Sequence, residues 1–485
     1  MRTPRLERTL SILVCAGVLL LGCAGGSSSS GKKKPRRDIL STEYDDARVG
    51  KESSAAVASQ MGLLEDEAMN RLVQEMGRKL LRGVPRRNFD FQFRVVDQTE
   101  PNAFALPGGY IFVSRGLLAL ANNEDELACV IGHEITHAIH RHAATQQAMQ
   151  ARSNPLVMGY RRAAKQASYS REMERDADKG GQILCAAAGY DPMGMSTFLN
   201  NLGQVERLQL GFSRGQSFFD SHPGSQERAA VNAIRAQEMR WTRDPAIGDP
   251  KASYLRRVDG LAVGQRPEAG VFVGQTFIHP DLDFKLRFPN GWQTQNTGAA
   301  VAAGDPRGRA LVMLEANMPE GDPETIATQW VEKSKEEGAR IEVEQSQPVK
   351  VGDIDAWRMK LKVATKGGHL ASYVTFIPYR GITWRITGMS RASDQDTYLK
   401  RTLPTARSFR PLTAQERNSI ESQRLRLVNA RSGEGIDALG KRSNNAWNVP
   451  TTAVYNGVFI DHRFAGGELV KVTNVERYVP KGAKQ

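Results

Sequence analysis

The stretch V-I-G-H-E-I-T-H-A-I-H-R-H-A, Val130 to Ala143, holds four of the eight histidines in the chain, and its reading decides the fold. Val130, Ile131, Ile135 and Ile139 recur at helical spacing and give the segment an apolar side for burial. Within it, His133-Glu134-Ile135-Thr136-His137 fits the pattern H-E-x-x-H. Residues four apart share a helix face, so both imidazoles can bind one metal ion. Glu134, one residue on, points about 100° away. Its carboxylate then stands beside the metal's open position, where it can take a proton from water. Zinc suits such a set and lowers the pKa of a bound water to about 7. His140 and His142 cannot share the ligand face equally well, and His140 reads as a surface residue.

A catalytic zinc site needs a third protein ligand and keeps one position for water. The acidic run S-R-E-M-E-R-D-A-D, Ser170 to Asp178, offers Glu172, Glu174, Asp176 and Asp178. Spacing does not rank them, because Glu172/Asp176 and Glu174/Asp178 are both i,i+4 pairs. Alone, such a cluster reads as a solvated helix face.

At 485 residues the chain calls for two or three domains. It is 40% hydrophobic and 25% charged, which allows sizeable cores. The net charge of +13 is concentrated near the start, in Arg2, Arg5 and Arg8 and in K-K-K-P-R-R at 32–37. No nucleic-acid recognition motif accompanies it, so nucleic acid is not expected as a partner. Residues 1–22 follow a secretory plan: a basic start, then an apolar run from Leu10 to Leu21 that is too short to span a bilayer. The run ends L-L-G-C, Leu20 to Cys23, and a flexible basic tether follows to residue 38. The basic cluster would lie near anionic lipid headgroups. Of the other cysteines, Cys129 and Cys185 fall in the folded part. They read as two small buried residues, or as a single disulfide in an oxidising compartment.

From Ile39 to about residue 245 the pattern is mainly helical. It is interrupted by a strand at Phe89 to Asp97 and a hairpin, N-A-F-A-L-P-G-G-Y-I-F-V-S, at Asn102 to Ser114. An Asn cap and acidic first turn open the next helix at N-N-E-D-E-L. Residues 270–413 switch to strand-rich text with one helix, Pro323 to Gly338, an α+β pattern. A third unit runs over 424–475. The fold class is thus multidomain α+β: a mainly helical protease-type domain with a small edge-strand sheet, an α+β domain and a small βααβ module.

Several of these stretches resemble known families. L-L-G-C is similar to the lipobox of bacterial lipoproteins, which implies lipidation of Cys23 and, with Ala24 next, an outer-membrane destination. N-A-F-A-L-P-G-G-Y-I-F-V (102–113), G-L-L (116–118), E-D-E-L-A (124–128), the H-E-x-x-H with trailing R-H, and S-R-x-x-E-x-x-A-D together resemble the HtpX- and CAAX-endopeptidase-like zinc metallopeptidases, a gluzincin group. The nearest likeness is to the periplasmic lipoprotein branch with its outer-membrane quality-control proteases. The resemblance covers roughly residues 39–240. It implies one zinc per chain on His133, His137 and Glu174, with Glu134 as base. It places Asp178 beside the site as supporting residue or proton donor. His142 falls at a family position and is expected to make structural hydrogen bonds. S-H-P-G-S-Q-E-R (Ser221 to Arg228) matches a His-Pro motif, which makes His222 either an oxyanion-steadying group or a reversible fourth ligand that holds the enzyme inactive. His279-Pro280, in the second domain, is a decoy.

The resemblance further implies that an extended substrate adds to the free edge of the hairpin at Asn102, Ala103, Phe104 and Ala105. Unfolded or misassembled envelope proteins are the expected substrates, cut by metal-activated water. His137 to Glu174 is shorter than in many members of the family, so a covering lid is in doubt. L-R-F-P-N-G-W (286–292) and A-R-S-F-R-P-L-T (406–413) resemble the ends of PsbP-like domains. R-S-G-E-G-I-D-A-L-G (431–440), V-Y-N-G-V (454–458) and G-E-L-V-K-V (467–472) resemble a divergent LysM module, which implies peptidoglycan as a possible partner. The competing expectation is a non-proteolytic chaperone, assembly factor or wall-binding protein on a latent protease fold.

Overall fold

The computed structural model describes residues 43–85, 89–145, 169–209, 218, 222–365 and 367–480. The signal segment, the tether and Cys23 lie outside the described residues. The chain divides into two compact units, one of 35–264 with 422–476 and one built on 265–421.

In the first unit, helices α1 (Glu43–Gln60) and α2 (Glu67–Leu80) lead to strands β1 (Gln92–Val96), β2 (Ala103–Leu106) and β3 (Tyr110–Ser114). The sheet order is β1-β3-β2, with β1 parallel and β2 antiparallel to β3. The β2–β3 hairpin turns on Gly108 and Gly109, at φ +77° and +82°, a left-handed backbone that side chains rarely adopt. Helices α3 (Arg115–Leu120), α4 (Glu124–Ile139), α5 (Arg171–Ala187), α6 (Gly194–Gln209), α7 (Ser225–Glu238) and α8 (Pro250–Val258) complete this part.

The α4 helix is the centre of the unit. Asn123 caps it, accepting from Glu126 N, and Glu124, Asp125 and Glu126 fill its first turn. The sequence gives α4 one apolar side, yet every residue from Glu124 to Ala138 is buried. The polar ones are enclosed by β2, α5 and α6. Tyr254, Leu255 and Val258 of α8 enter the same core, so the unit continues past residue 245 to Gly264.

The second unit holds β4 (Val271–Val273), β5 (Thr276–His279), β6 (Phe284–Arg287), β7 (Gln293–Asn296), β8 (Val301–Gly304) and β9 (Ala310–Pro319). After α9 (Pro323–Glu336) come β10 (Arg340–Val351), β11 (Ile354–Thr365), β12 (Gly368–Tyr379) and β13 (Ile382–Arg391). Helix α10 (Lys400–Arg407), β14 (Arg410–Pro411) and α11 (Ala414–Asn418) follow. A seven-stranded sheet, β10-β11-β12-β13-β9-β8-β7, and a four-stranded one, β14-β6-β5-β4, share a core around Phe284, Trp384 and Phe409. The α10 helix, unexpected from the sequence, forms despite Pro404 inside it. His279 closes β5, as its strand setting implied.

Residues 421–477 run β15 (Glu421–Asn429), α12 (Ile436–Arg442), α13 (Val449–Tyr455), β16 (Leu469–Arg477), a βααβ order with the two strands paired. Ile436, Leu439, Phe464 and Val472 form its own small core. The sequence reading takes it as a module by itself, but Leu425 and Val454 belong to the core that surrounds α4. Lys471, fully buried, donates from Nζ to the carbonyl oxygens of Ala119, Leu120 and Ala121 at 2.9, 3.0 and 2.8 Å. These are carbonyls at the C-terminus of α3, which a helix leaves without partners of its own.

Candidate metal centre

Two helices must come unusually close for a motif on α4 and an acidic residue on α5 to meet. Glycines allow it. A Cβ on Gly181 would lie 2.7 Å from His133 N, and one on Gly132 would lie 2.9 Å from Gly181 O. The helices thus touch backbone to backbone beside the first histidine of the motif.

At this crossing His133, His137, Glu174 and His222 each present one donor atom, all within 4.8 Å of one another and all buried. His133 Nε2 lies 3.0 Å from His137 Nε2 and 3.3 Å from His222 Nδ1. Glu174 Oε1 lies 2.9 Å from His222 Nδ1 and 3.4 Å from His137 Nε2. Tyr169 stacks on the His137 ring and Phe218 on the His222 ring, each at 4.1 Å between centroids. Glu134 is buried beside the cluster. Neither of its oxygens has a hydrogen-bond partner, and His222 Nε2 stands 3.5 Å from Oε1.

Around the cluster, a carboxylate and a further histidine face the outer nitrogens of His133 and His137. His133 Nδ1 is 3.0 Å from Asp178 Oδ1. Asp178 is bound by Arg228 through Nε at 2.8 Å and Nη2 at 2.6 Å, and accepts from Asn232 Nδ2 at 2.9 Å. Arg228 Nη1 also reaches Glu174 Oε2 at 2.5 Å. His137 Nδ1 faces His142 Nδ1 at 2.9 Å.

The electrostatics follow from burial and these partners. Burial raises the Glu134 carboxyl above its ordinary value, against the pull of His222 and His133. Burial acts the same way on Glu174, but His222, His137 and Arg228 outweigh it and hold the carboxyl well below the usual range. Asp178 is likewise lowered, because the Arg228 ion pair beats burial. Burial and the neighbouring His133 keep His137 neutral, as a metal ligand must be. His222 moves up: burial works against its charge, yet Glu174 and Glu134 prevail.

The donor set fits zinc. It offers imidazole and carboxylate at one point, with a buried carboxylate alongside whose own hydrogen-bonding capacity is unused.

The structure thus brings together His133, Glu134, His137, Glu174 and His222. It sets Asp178 behind His133, outside the donor cluster. His142 is buried, while His140 is exposed and paired with Asp176. Asn102, Ala103, Phe104 and Ala105 fall on or next to β2, at the sheet edge. Ser114 N donates to Asn102 O, and Phe104 is in register with Phe112, so the backbone groups of Ala103 and Ala105 turn toward the unpaired side. A shallow cleft lined by Ala105, Leu106, His137 and Tyr169 runs along it. Cys129 and Cys185 are free thiols, both buried. The sequence reading assigned nothing to Arg228, Asn232, Tyr169 or Phe218. The i,i+4 pair Arg228/Asn232 after the His-Pro motif was the available signal for two of them.

Comparison with known proteins agrees with this geometry. The model of Peptidase family M48 matches residues 65–168 and 154–236. The chain is 28% identical over 279 residues to the Beta-barrel assembly-enhancing protease of Escherichia coli (strain K12), covering 53% of each chain. It is 31% identical over 153 residues to the Mitochondrial metalloendopeptidase OMA1 of Schizosaccharomyces pombe, covering 28% of this chain and 44% of that one. The chain thus spans about half the length of the curated relatives it matches. Among solved structures, cyanobacterial PsbP from Synechocystis sp. PCC 6803 is similar at 14% identity and a TM-score of 0.25, over 31% of this chain and 99% of that one. Family match, H-E-x-x-H helix and buried donor cluster thus coincide within residues 65–236, the part of the chain that matches peptidase family M48, a family of zinc metallopeptidases.

Proposed function

We propose that this protein is a zinc endopeptidase of the bacterial cell envelope that cuts unfolded or misassembled envelope proteins. The observation that carries the reading is Glu134: a buried carboxylate with no hydrogen-bond partner, beside four converging metal donors. His133, His137 and Glu174 would hold the zinc. When bound there, zinc polarises a peptide carbonyl and makes a water molecule nucleophilic at neutral pH. Glu134, its affinity for a proton increased by burial, takes the proton from the attacking water and passes it to the leaving amine. Asp178 and Arg228 fix the orientation of His133 from behind. An extended substrate would pair with Ala103 and Ala105 on the unpaired edge of β2, which reads backbone rather than sequence and so favours unfolded chains.

His222 has two roles available. Its Nδ1 lies among the donors, which supports a fourth-ligand state that keeps the site closed. Displaced, it can steady the oxyanion that forms on the substrate. The same closeness favours the second reading, a chaperone or assembly factor on a latent protease fold.

Envelope location is supported by L-L-G-C at Leu20–Cys23 and by the likeness to a protease named for β-barrel assembly. Among the described residues no helix is long and apolar enough to cross a membrane, so a lipidated Cys23 is the anchor of this reading. Cys23→Ala should release the protein from membranes on fractionation; a variant that still sediments with them refutes the anchor. The βααβ order of 421–477 supports a LysM-like module and, with it, peptidoglycan as a partner.

Glu134→Gln separates protease from chaperone. The variant should keep one zinc per chain and lose casein digestion. Equal digestion by variant and wild type would sink the mechanism, and no digestion by either would favour the chaperone reading.

A further inference from the structure

Two histidines and an aspartate lie just outside the donor cluster: His140, His142 and Asp176, with ligand atoms within 4.8 Å of one another. They look like a second metal site. We propose instead that His142 and Asp176 are positioning residues that hold His137 in its metal-binding tautomer. This rests on reading His133, His137 and Glu174 as the zinc ligands.

The argument is a count of protons. A neutral imidazole carries one N–H and one lone pair. His137 Nε2 points into the donor cluster, so its lone pair must be there and its proton on Nδ1. Facing that Nδ1, 2.9 Å away, is His142 Nδ1. Two nitrogens at that distance need one proton between them, and His137 supplies it. His142 must therefore accept at Nδ1 and carry its own proton on Nε2. That nitrogen lies 3.4 Å from Asp176 Oδ2, an acceptor. The chain of contacts thus runs metal ligand, histidine, carboxylate, with every proton accounted for. The His142 ring is nearly perpendicular to that of His137, at 75°, and largely enclosed at 7% exposure, so it cannot turn freely to offer its other nitrogen.

The same count removes the second metal site. A metal on His142 Nε2 would force a proton onto His142 Nδ1, against the Nδ1–H of His137. Both sites cannot be filled by neutral imidazoles at once. Exposed His140 instead pairs with Asp176 at the surface.

The arrangement parallels the other ligand. His133 is backed directly by Asp178, and His137 is backed through His142 by Asp176. One helix, α5, therefore gives the metal Glu174 as ligand and supplies the terminal carboxylate behind both histidines. Such outer partners raise ligand basicity and fix ring orientation, and losing one weakens metal binding by roughly 10–100-fold.

The test measures zinc affinity by chelator competition and the visible spectrum of the cobalt-substituted protein, on the full chain. His142→Leu should bind zinc roughly tenfold to a hundredfold more weakly and change the cobalt spectrum. His142→Asn places an amide oxygen where Nδ1 accepts but breaks the link to Asp176, and should recover part of the affinity lost in His142→Leu. His140→Ala should bind as wild type does. Wild-type affinity in His142→Leu overturns the proposal, as does equal loss in His142→Leu and His142→Asn. A second equivalent of zinc in wild type that disappears in His140→Ala also overturns it and restores the second site. Wild type that binds no zinc overturns the ligand reading itself, a distinct outcome from any ordering of the variants.

Discussion

The guanidinium of Arg228 sits between two carboxylates, Asp178 and Glu174, that the metal centre needs ionised. It is 5% exposed, so almost no water shares the task. Three acidic groups, Glu134, Glu174 and Asp178, are crowded into one desolvated volume, where Arg228 offsets them and where Glu174 and Glu134 raise the proton affinity of His222. Removing one partner of a buried ion pair leaves an uncompensated charge, which costs about 3–5 kcal/mol. Arg228→Leu should lower the thermal midpoint of the zinc-free chain by that order of stability. Arg228→Lys should restore only part, since an ammonium cannot reproduce the two-pronged contact with Asp178. A leucine variant as stable as wild type would show that Arg228 does not offset these charges.

Among elements, α4 and α5 decide the site, and they also show what a sequence gives away. H-E-x-x-H was legible because both ligands lie on one helix, where spacing fixes geometry. Glu174 was not separable from Glu172, Asp176 and Asp178 by spacing, since two i,i+4 pairs overlap; the family pattern made that choice, and the structure places Glu174 in one buried group with His133, His137 and His222. The full burial of α4 was hidden, because Thr136 and the motif's polar residues interrupt its apolar side. Thr136 returns its hydroxyl to Gly132 O at 2.8 Å, a solution only the folded helix displays. Arg228 and Asn232 stayed silent because their partner Asp178 is 50 and 54 residues away in the chain. The sequence reading assigned nothing to the glycines that let the helices meet, Gly132 and Gly181. Only their contact with each other's backbones explains them. Conversely, α10 was missed because 270–413 reads as strand-rich text with a single helix at Pro323 to Gly338, and α10 carries Pro404 within it.

At the scale of the whole molecule, the unit that carries the metal centre is assembled from two distant stretches of chain, 35–264 and 422–476. Lys471 is their firmest link. Replacing it by Met removes the Nζ donor from three buried carbonyls, of which Leu120 O keeps Asn122 Nδ2 at 3.2 Å, and takes the nearby lysine from Glu126. Each unsatisfied buried acceptor costs about 1–3 kcal/mol. Lys471→Met should therefore lower the unfolding midpoint of this unit while the zinc ligands stay untouched, as differential scanning calorimetry would read. An unchanged midpoint would show that water or a neighbouring donor replaces the lysine.

That lysine also sets a clock. It meets Ala119 across 352 positions of sequence. At roughly 5–20 residues per second, synthesis needs on the order of 20–70 s to travel from one partner to the other. For that interval the end of α3, one short turn before the metal helix, lacks its lysine donor. Closing so long a loop also slows the final docking step. A unit built this way reaches its finished form late, after the chain that carries it has largely been made, which limits the time in which a half-formed metal centre could meet other newly made chains.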